Sequence, residues 1–205
     1  MTLSKRLFDL GISVLLGTLL SPLMLLLAVI LLLTEGRPVF YVAERMKSPH
    51  RSFGLIKFRT MRLHADAGGV TGGDKSDRMS RLHRFLRQTR ADELPQLWNV
   101  IRGDMSLVGP RPPLRRYVKA FPDLYAQVLR SRPGVTGLAS LVFHAHEERL
   151  LAACQTPAET DAVYCRRCVL RKARLDLIYQ SRRNLCFDLL LVLGTAAKPF
   201  RRKSH

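Results

Sequence analysis

The chain is short of acid, aromatic rings and cysteine, and each shortage removes a class of explanation. Sixteen Asp and Glu stand against 34 Lys and Arg, a net charge of +18, so the molecule must find anions in nucleic acid, lipid headgroups or phosphorylated substrates. Aromatic residues make up 7% of the sequence, with one tryptophan, Trp98. A nucleic-acid binder interleaves rings with its cations to stack on bases, and this composition argues against one. The four cysteines, Cys154, Cys165, Cys168 and Cys186, all fall in the last third, and a chain of 205 residues needs no disulfides to hold a core. They read as reduced thiols. Cys165 and Cys168 form a CxxC with no second pair at zinc-ribbon spacing, although His144 and His146 lie upstream; ordinary helix-surface and core cysteines are the simpler reading. The sequence has no internal repeat, no low-complexity linker, no Walker-type phosphate loop and no Ser/His/Asp triad spacing.

What is present is unevenly spread. Residues 10–33 carry no charge and are almost wholly apolar, long enough at 1.5 Å per residue to cross a hydrocarbon core of about 30 Å. The run exceeds a signal-peptide core and no small-residue cleavage site follows it. Ser21-Pro22 falls at its middle, where proline removes an amide donor and crowds the carbonyl of Thr18. Lys5 and Arg6 precede the run, and Arg37, Arg45, Lys47 and Arg51 follow it, so both flanks look cytoplasmic. A kinked spanning helix and a helix that bends at Ser21-Pro22 and returns to the same face both satisfy the composition. Residues 185–197 are too short to span, contain Asp188 and are flanked by Arg182, Arg183, Lys198, Arg201, Arg202 and Lys203. They suit an interfacial amphipathic helix or a core helix with a basic tail.

The remainder predicts one α+β domain, mostly helical with a few short strands: an anchor over 1–36 and a catalytic domain over 37–205. Residues 37–61 are strand-like, and over 53–61 the side chains alternate so that Lys57 and Arg59 share a face, as a phosphate clamp or as a solvated edge. Gly68 to Asp74 is a glycine-rich loop, either a lid or a connection. Arg81, Arg84, Arg87 and Arg90 recur every third residue opposite Leu82, Phe85 and Leu86, a cationic helical face for lipid, nucleic acid or water. A helix is expected over 92–102, with Asp92 near the N-cap, Pro95 in the first turn, Gly103 as the stop and Leu94, Leu97, Trp98 and Ile101 as its buried stripe. Asp92 and Glu93 there face a positive dipole end, where capping alone would account for Asp92. Gly109-Pro110-Arg111-Pro112-Pro113 holds an arginine in a stiff loop, ready for bidentate phosphate contact or incidental to it. Arg132-Pro133-Gly134-Val135-Thr136-Gly137 reads as a further turn.

In order along the chain, Lys5-Arg6-x-x-Asp9, Ser21-Pro22, Lys57-Phe58-Arg59-Thr60-Met61, Asp92-Glu93-Leu94-Pro95-Gln96-Leu97, Gly103-Asp104-Met105-Ser106-Leu107-Val108-Gly109-Pro110-Arg111-Pro112 and Arg132-Pro133-Gly134-Val135-Thr136-Gly137-Leu138 resemble the bacterial sugar transferase family, the small monotopic phosphoglycosyl transferases. The resemblance implies transfer of a sugar 1-phosphate from a UDP-sugar donor to a polyprenyl (undecaprenyl) phosphate acceptor, at the start of surface glycan or exopolysaccharide synthesis. It implies Asp92 as nucleophile forming a covalent phosphosugar adduct and Glu93 as its partner. It further implies Mg²⁺ near Asp92, phosphate contacts from Lys57, Arg59, Arg87 and Arg111, and a re-entrant membrane helix broken at Ser21 and Pro22. The expected place is the cytoplasmic face of the bacterial inner membrane, among membrane lipids, with no nucleic acid as partner and with room for a homodimer. A non-catalytic scaffold of the same fold, which would more readily lose the acidic pair or the arginine turn, is the competing class. The chain departs from the family at Met46-Lys47-Ser48-Pro49-His50-Arg51-Ser52, where glycines are usual, and after Leu138. Both departures leave the sugar unnamed.

Overall fold

The computed structural model describes residues 2–61 and 79–201. The glycine-rich loop at 68–74 and the tail beyond 201 lie outside the described residues. The element order is α1 (Leu3–Glu35), β1 (Phe40–Met46), β2 (Ser52–Phe58), α2 (Arg81–Thr89), a 3-10 turn (Ala91–Glu93), α3 (Gln96–Arg102), β3 (Ser106–Val108), α4 (Arg115–Ala120), α5 (Pro122–Val128), β4 (Gly134–Thr136), α6 (Leu138–Val142), α7 (His144–Ala152), α8 (Pro157–Val163), a π-helical turn (Tyr164–Val169), α9 (Leu170–Arg182) and α10 (Leu185–Arg201). The architecture is mostly helical with short strands, as expected. β1 and β2 form an antiparallel hairpin, and β3 pairs in parallel with β4.

α1 is one helix across Pro22. The Ser21 hydroxyl donates to the Thr18 carbonyl at 2.8 Å, the acceptor that Pro22 leaves without its usual amide partner. A single side chain therefore repairs the ladder at its weak point. Both halves of α1 pack on the domain: Ile12 and Leu16 against the cluster of Leu97, Val100 and Leu107, and Met24, Leu27 and Leu31 against Phe58 and Leu86. Burying Phe58 and Leu86 contributes about 2–3 kcal/mol each. The outward side exposes Leu7, Leu15, Leu19, Leu25, Leu26 and Leu33, a broad apolar surface.

Charged residues fasten the two ends. At the start, Asp9 is fully buried and accepts from Lys5 at 2.8 Å and from the Ser106 hydroxyl at 2.7 Å, while Arg6 donates to the Val100 and Ile101 carbonyls, the last of α3. Lys5 also lies 2.8 Å from Asp188 of α10. At the other end Arg59 donates to the carbonyls of Glu35, Gly36 and Arg37 at 2.6, 2.9 and 3.0 Å, capping the helix with a cation where its dipole is negative.

Local readings fail in two helices. Trp98 is 58% exposed, and α3 instead buries Gln96, Leu97, Asn99 and Val100. Asn99 is drawn inward because its amide accepts from the Ile56 amide at 3.0 Å and donates to the Gly54 carbonyl at 2.8 Å, clamping β2. In α2, His83 and Leu86 are buried while Phe85 is 57% exposed. Asp188, which interrupts the apolar run of α10, is buried against the domain, as is Leu191, while Leu189, Leu190 and Leu193 are exposed.

Removing the shared ammonium strands two buried carboxylates. Lys5→Met should lower stability by about 3–5 kcal/mol, read as thermal unfolding in detergent, whereas exposed Lys119→Met should stay within about 0.5 kcal/mol of the parent.

Candidate active site

The Asp-Glu pair is set by an unusual backbone step. Arg90 closes α2 with φ 58° and ψ 19°, in the left-handed region, and is the one non-glycine residue there among those described. That conformation costs about 1–2 kcal/mol, and it turns the chain directly into Ala91–Glu93. The expected helix over 92–102 is thus corrected. Asp92 and Glu93 lie in a separate 3-10 turn, α3 starts at Gln96 with Pro95 as its N-cap, and Asp92 makes no capping hydrogen bond. Gly103 ends α3 at φ 90°, as the sequence predicts.

The two carboxylates have opposite surroundings. Glu93 accepts from Arg111 at 2.6 Å and lies 3.6 Å from Arg90. Burial works against its charge, but Arg111 and then Arg90 outweigh it and hold the carboxyl well below the usual range. Asp92 is 7% exposed, and among the described residues its carboxylate takes no hydrogen bond. Burial, reinforced by the adjacent Glu93 charge, pushes it up against the pull of Arg87, Lys57 and Arg111. Burial also depresses the Lys57 ammonium to about 8, with Arg87 adding to the shift. A carboxylate with no hydrogen bond among the described residues thus sits within reach of Lys57, Arg87 and Arg111, a cationic setting suited to a polyanion.

Arg111 owes its place to two interlocked glycine–proline segments. The Gly109 amide donates to Thr136, Gly134 to Pro110 and Ser106 to Pro133, at 2.9, 2.9 and 2.8 Å. A Cβ on Gly134 would lie 2.1 Å from the Gly109 nitrogen. What looks in sequence like an isolated turn at 132–137 is the strand β4 that braces the Arg111 loop.

Lys57, Arg87 and Arg111 all bear electrostatically on Asp92. Arg59 is held elsewhere: its guanidinium donates to the carbonyls of Glu35, Gly36 and Arg37 and caps the end of α1. Strand alternation placed it beside Lys57, but β2 ends at Phe58. The arginine face of α2 likewise divides, with Arg81 and Arg84 exposed and Arg87 half-buried. Sequence reasoning missed Arg90, Arg45 and His144 as members of the site. Arg90 was legible as i−3 to Glu93; the other two come from distant segments. Burial and then Arg90 push the His144 imidazole down to about 4, leaving it neutral at pH 7. Among the described residues no group of three or more His, Cys, Asp or Glu side chains is placed to share a metal, which removes the reading of Cys165 and Cys168 with His144 and His146. Burial raises the Cys168 thiol to about 11.

A cleft of about 290 Å³ adjoins the pair. Glu93, Arg87, Arg90, His144 and Glu148 line one part, and Leu16 and Leu20 of α1, Leu94, Leu97 and Val192 line another. It is charged at one wall and hydrocarbon at the other.

The structure thus holds a buried carboxylate beside an arginine-held one, next to a long apolar helix. The bacterial sugar transferase family matches residues 1–202, and the chain belongs to it. It is 38% identical over 144 residues to a UDP-N-acetylgalactosamine-undecaprenyl-phosphate N-acetylgalactosaminephosphotransferase of Aeromonas hydrophila, over 67% of this chain and 34% of that protein. It is 41% identical over 143 residues to a UDP-glucose:undecaprenyl-phosphate glucose-1-phosphate transferase of Caulobacter vibrioides, over 68% and 54%. A protein of that second activity in Xanthomonas campestris pv. campestris is 33% identical over 188 residues, 89% of this chain and 36% of its own length. The chain thus spans about a third to a half of these curated relatives.

The interlock has a direct consequence for stability. Gly134→Ala should cost about 3 kcal/mol because backbone, not a side chain, must yield. Gly17→Ala in α1, with nothing within 4 Å of its Cβ, should be neutral or stabilise by about 1 kcal/mol. Chemical unfolding of the detergent-solubilised protein checks both.

Proposed function

We propose that this chain is a phosphoglycosyl transferase that moves a sugar 1-phosphate from a UDP-sugar to undecaprenyl phosphate by a ping-pong mechanism, initiating a surface glycan or exopolysaccharide. The observation that carries the reading is the contrast within the pair: Glu93 is engaged by two arginines, while the buried Asp92 carboxylate is uncommitted.

In the first displacement an Asp92 carboxylate oxygen attacks the sugar-bearing phosphorus. The O–P bond forms as the bond to the nucleotide's phosphate oxygen breaks, and UMP leaves with that electron pair. A carboxylate raised in pKa by burial is a more basic nucleophile once ionised. Lys57, Arg87 and Arg111 stabilise the charge on the diphosphate as it redistributes. In the second displacement an oxygen of polyprenyl phosphate attacks the same phosphorus and Asp92 is released. Glu93, which lines the cleft where Leu16 and Leu20 meet the charged wall, positions the acceptor phosphate together with Arg90 and Arg111, and the apolar wall accommodates the first part of its chain.

The residues fit Mg²⁺ of the kind held largely by substrate phosphates, since one carboxylate is uncommitted and Mg²⁺ needs only one or two alongside phosphate oxygens. Asp92 would hold the ion with the donor's diphosphate, and the ion would neutralise charge there. The same reading places α1 re-entrant in the cytoplasmic face of the bacterial inner membrane. Its support is that residues at both ends, Lys5, Arg6 and Asp9 on one side and Glu35 on the other, are fastened to the same domain.

Asp92→Asn should abolish UMP release, by about a thousandfold or more, with unfolding unchanged because no cap is lost; near-normal turnover would sink the nucleophile assignment. Glu93→Gln should accumulate one phosphosugar on the segment holding Asp92 when UDP-sugar is supplied without acceptor, seen by intact-protein mass and peptide mapping. A panel of UDP-sugars identifies the donor, and silence across it from folded protein would favour the scaffold class.

Topology has its own readout. Single cysteines placed at Thr2 and Gly36 in an otherwise cysteine-free chain should both resist an impermeant thiol reagent applied to the periplasmic side of the inner membrane. Replacing Ser21 and Pro22 by Leu and Ala should move one of them to the reactive side; unchanged protection would remove the bend from the account.

A further inference from the structure

A second cavity of about 510 Å³ shares no lining residue with the cleft beside Glu93. It is enclosed by the loop between β1 and β2, the turn after α3, the segment before β4 and the junction of α9 with α10. Six cations line it against two carboxylates, Asp104 and Asp188. Both carboxylates are already engaged, Asp104 by Lys47 at 2.9 Å and Asp188 by Lys5 at 2.8 Å. Arg51, Arg130 and Arg132 also line the cavity and have no ion-pair partner among the described residues. A buried polar group lies with them: Ser131, 3% exposed, accepts from Arg183 at 3.4 Å. Arg51 and Arg130 are exposed and Arg132 half-buried, and a phosphate in the cavity accepts from several such guanidinium groups at once.

The rim says what carries the phosphate. Thr2 and Lys5 at the start of α1 and Leu185 and Asp188 at the start of α10 also line the cavity. From there both helices present leucines outward, Leu3 and Leu7 on one and Leu189 and Leu190 on the other. The cationic chamber therefore opens where two exposed apolar surfaces begin, the place of a lipid headgroup rather than of a ligand dissolved in water. We propose that this cavity binds the headgroup phosphate of an anionic phospholipid, with the glycerol and the first acyl carbons against the leucines at its rim. The excess of cations selects a headgroup with net negative charge over a zwitterionic one. The site uses neither Asp92 nor Glu93 and stands apart from the transfer reaction.

The test uses the full chain in a non-ionic detergent, with dioctanoyl phosphatidylglycerol, dioctanoyl phosphatidylcholine and glycerol 3-phosphate as probes. Retained lipid is counted by native mass spectrometry and the unfolding midpoint is followed. Phosphatidylglycerol should be retained one per chain and raise the midpoint, and Arg51→Gln with Arg130→Gln should weaken it about tenfold or more, while Arg166→Gln with Arg167→Gln, on the exposed face of the π-helical turn, should not. Equal retention of phosphatidylcholine, equal loss in both double variants, or glycerol 3-phosphate binding as tightly as the lipid would each overturn the proposal. Displacement of the lipid by UMP would overturn it too, since the lipid would then occupy the Asp92 site; a transferase that fails the UMP assay yet retains phosphatidylglycerol would leave it intact.

Discussion

Lys5 lies 2.8 Å from both Asp9 and Asp188, so a single ammonium answers two buried carboxylates contributed by helices at opposite ends of the chain. Both carboxylates are buried, and the excess negative charge is met by donors that belong to the fold itself: the Ser106 hydroxyl on Asp9 and the Tyr179 hydroxyl, 2.7 Å from Asp188. Such a network adds little stability compared with an apolar replacement but is costly to break in part, which makes it a device for geometric uniqueness. It converges on β3, and β3 leads within three residues into the Arg111 loop. The position of the anchor and the position of the arginine that holds Glu93 are consequently two readings of one set of contacts.

Asp92 and Glu93 show how neighbouring identical functional groups acquire different work. The left-handed step at Arg90 gives the pair a turn of its own rather than a place in α3, and from that turn Glu93 meets two guanidinium groups while Asp92, among the described residues, meets none at bonding distance. The result is a division of charge: Glu93 is stabilised as an anion, while burial and the Glu93 charge raise Asp92 against the pull of Arg87, Lys57 and Arg111.

How much of this could be read beforehand depended on whether the cause was local. The long apolar helix, the strand-like stretch over 37–61 and the glycine stop at Gly103 follow from composition, alternation and backbone freedom. Glu93, Lys57, Arg87 and Arg111, named with Asp92 from motif order, all bear electrostatically on that carboxylate. The cap made by Arg59 was not legible because its partners are carbonyls more than twenty residues earlier. Trp98 was misplaced because helical spacing favours an apolar stripe, whereas the backbone of β2 at Gly54 and Ile56 attracts the Asn99 amide and rotates the helix accordingly. The role of 134–136 as a strand depends on backbone contact with Gly109, a feature no periodicity reveals. His144 reaches the site through the packing of α7, and nothing in its own neighbourhood along the chain announces it.

The order of biosynthesis gives the Lys5–Asp9 contact a further meaning. A ribosome adding roughly 5–20 residues per second releases α1 long before it has made Ser106, which lies 97 residues beyond Asp9, and longer still before Asp188. During that interval the nascent helix holds an acid with none of its tertiary donors yet in existence. Lys5 is the exception, because it is one turn away on the same helix face. The pair can therefore form as soon as the first turns do, lending Asp9 a neutralising partner while the apolar segment finds its surroundings, and the same ammonium is later shared with Asp188 when the last helix arrives.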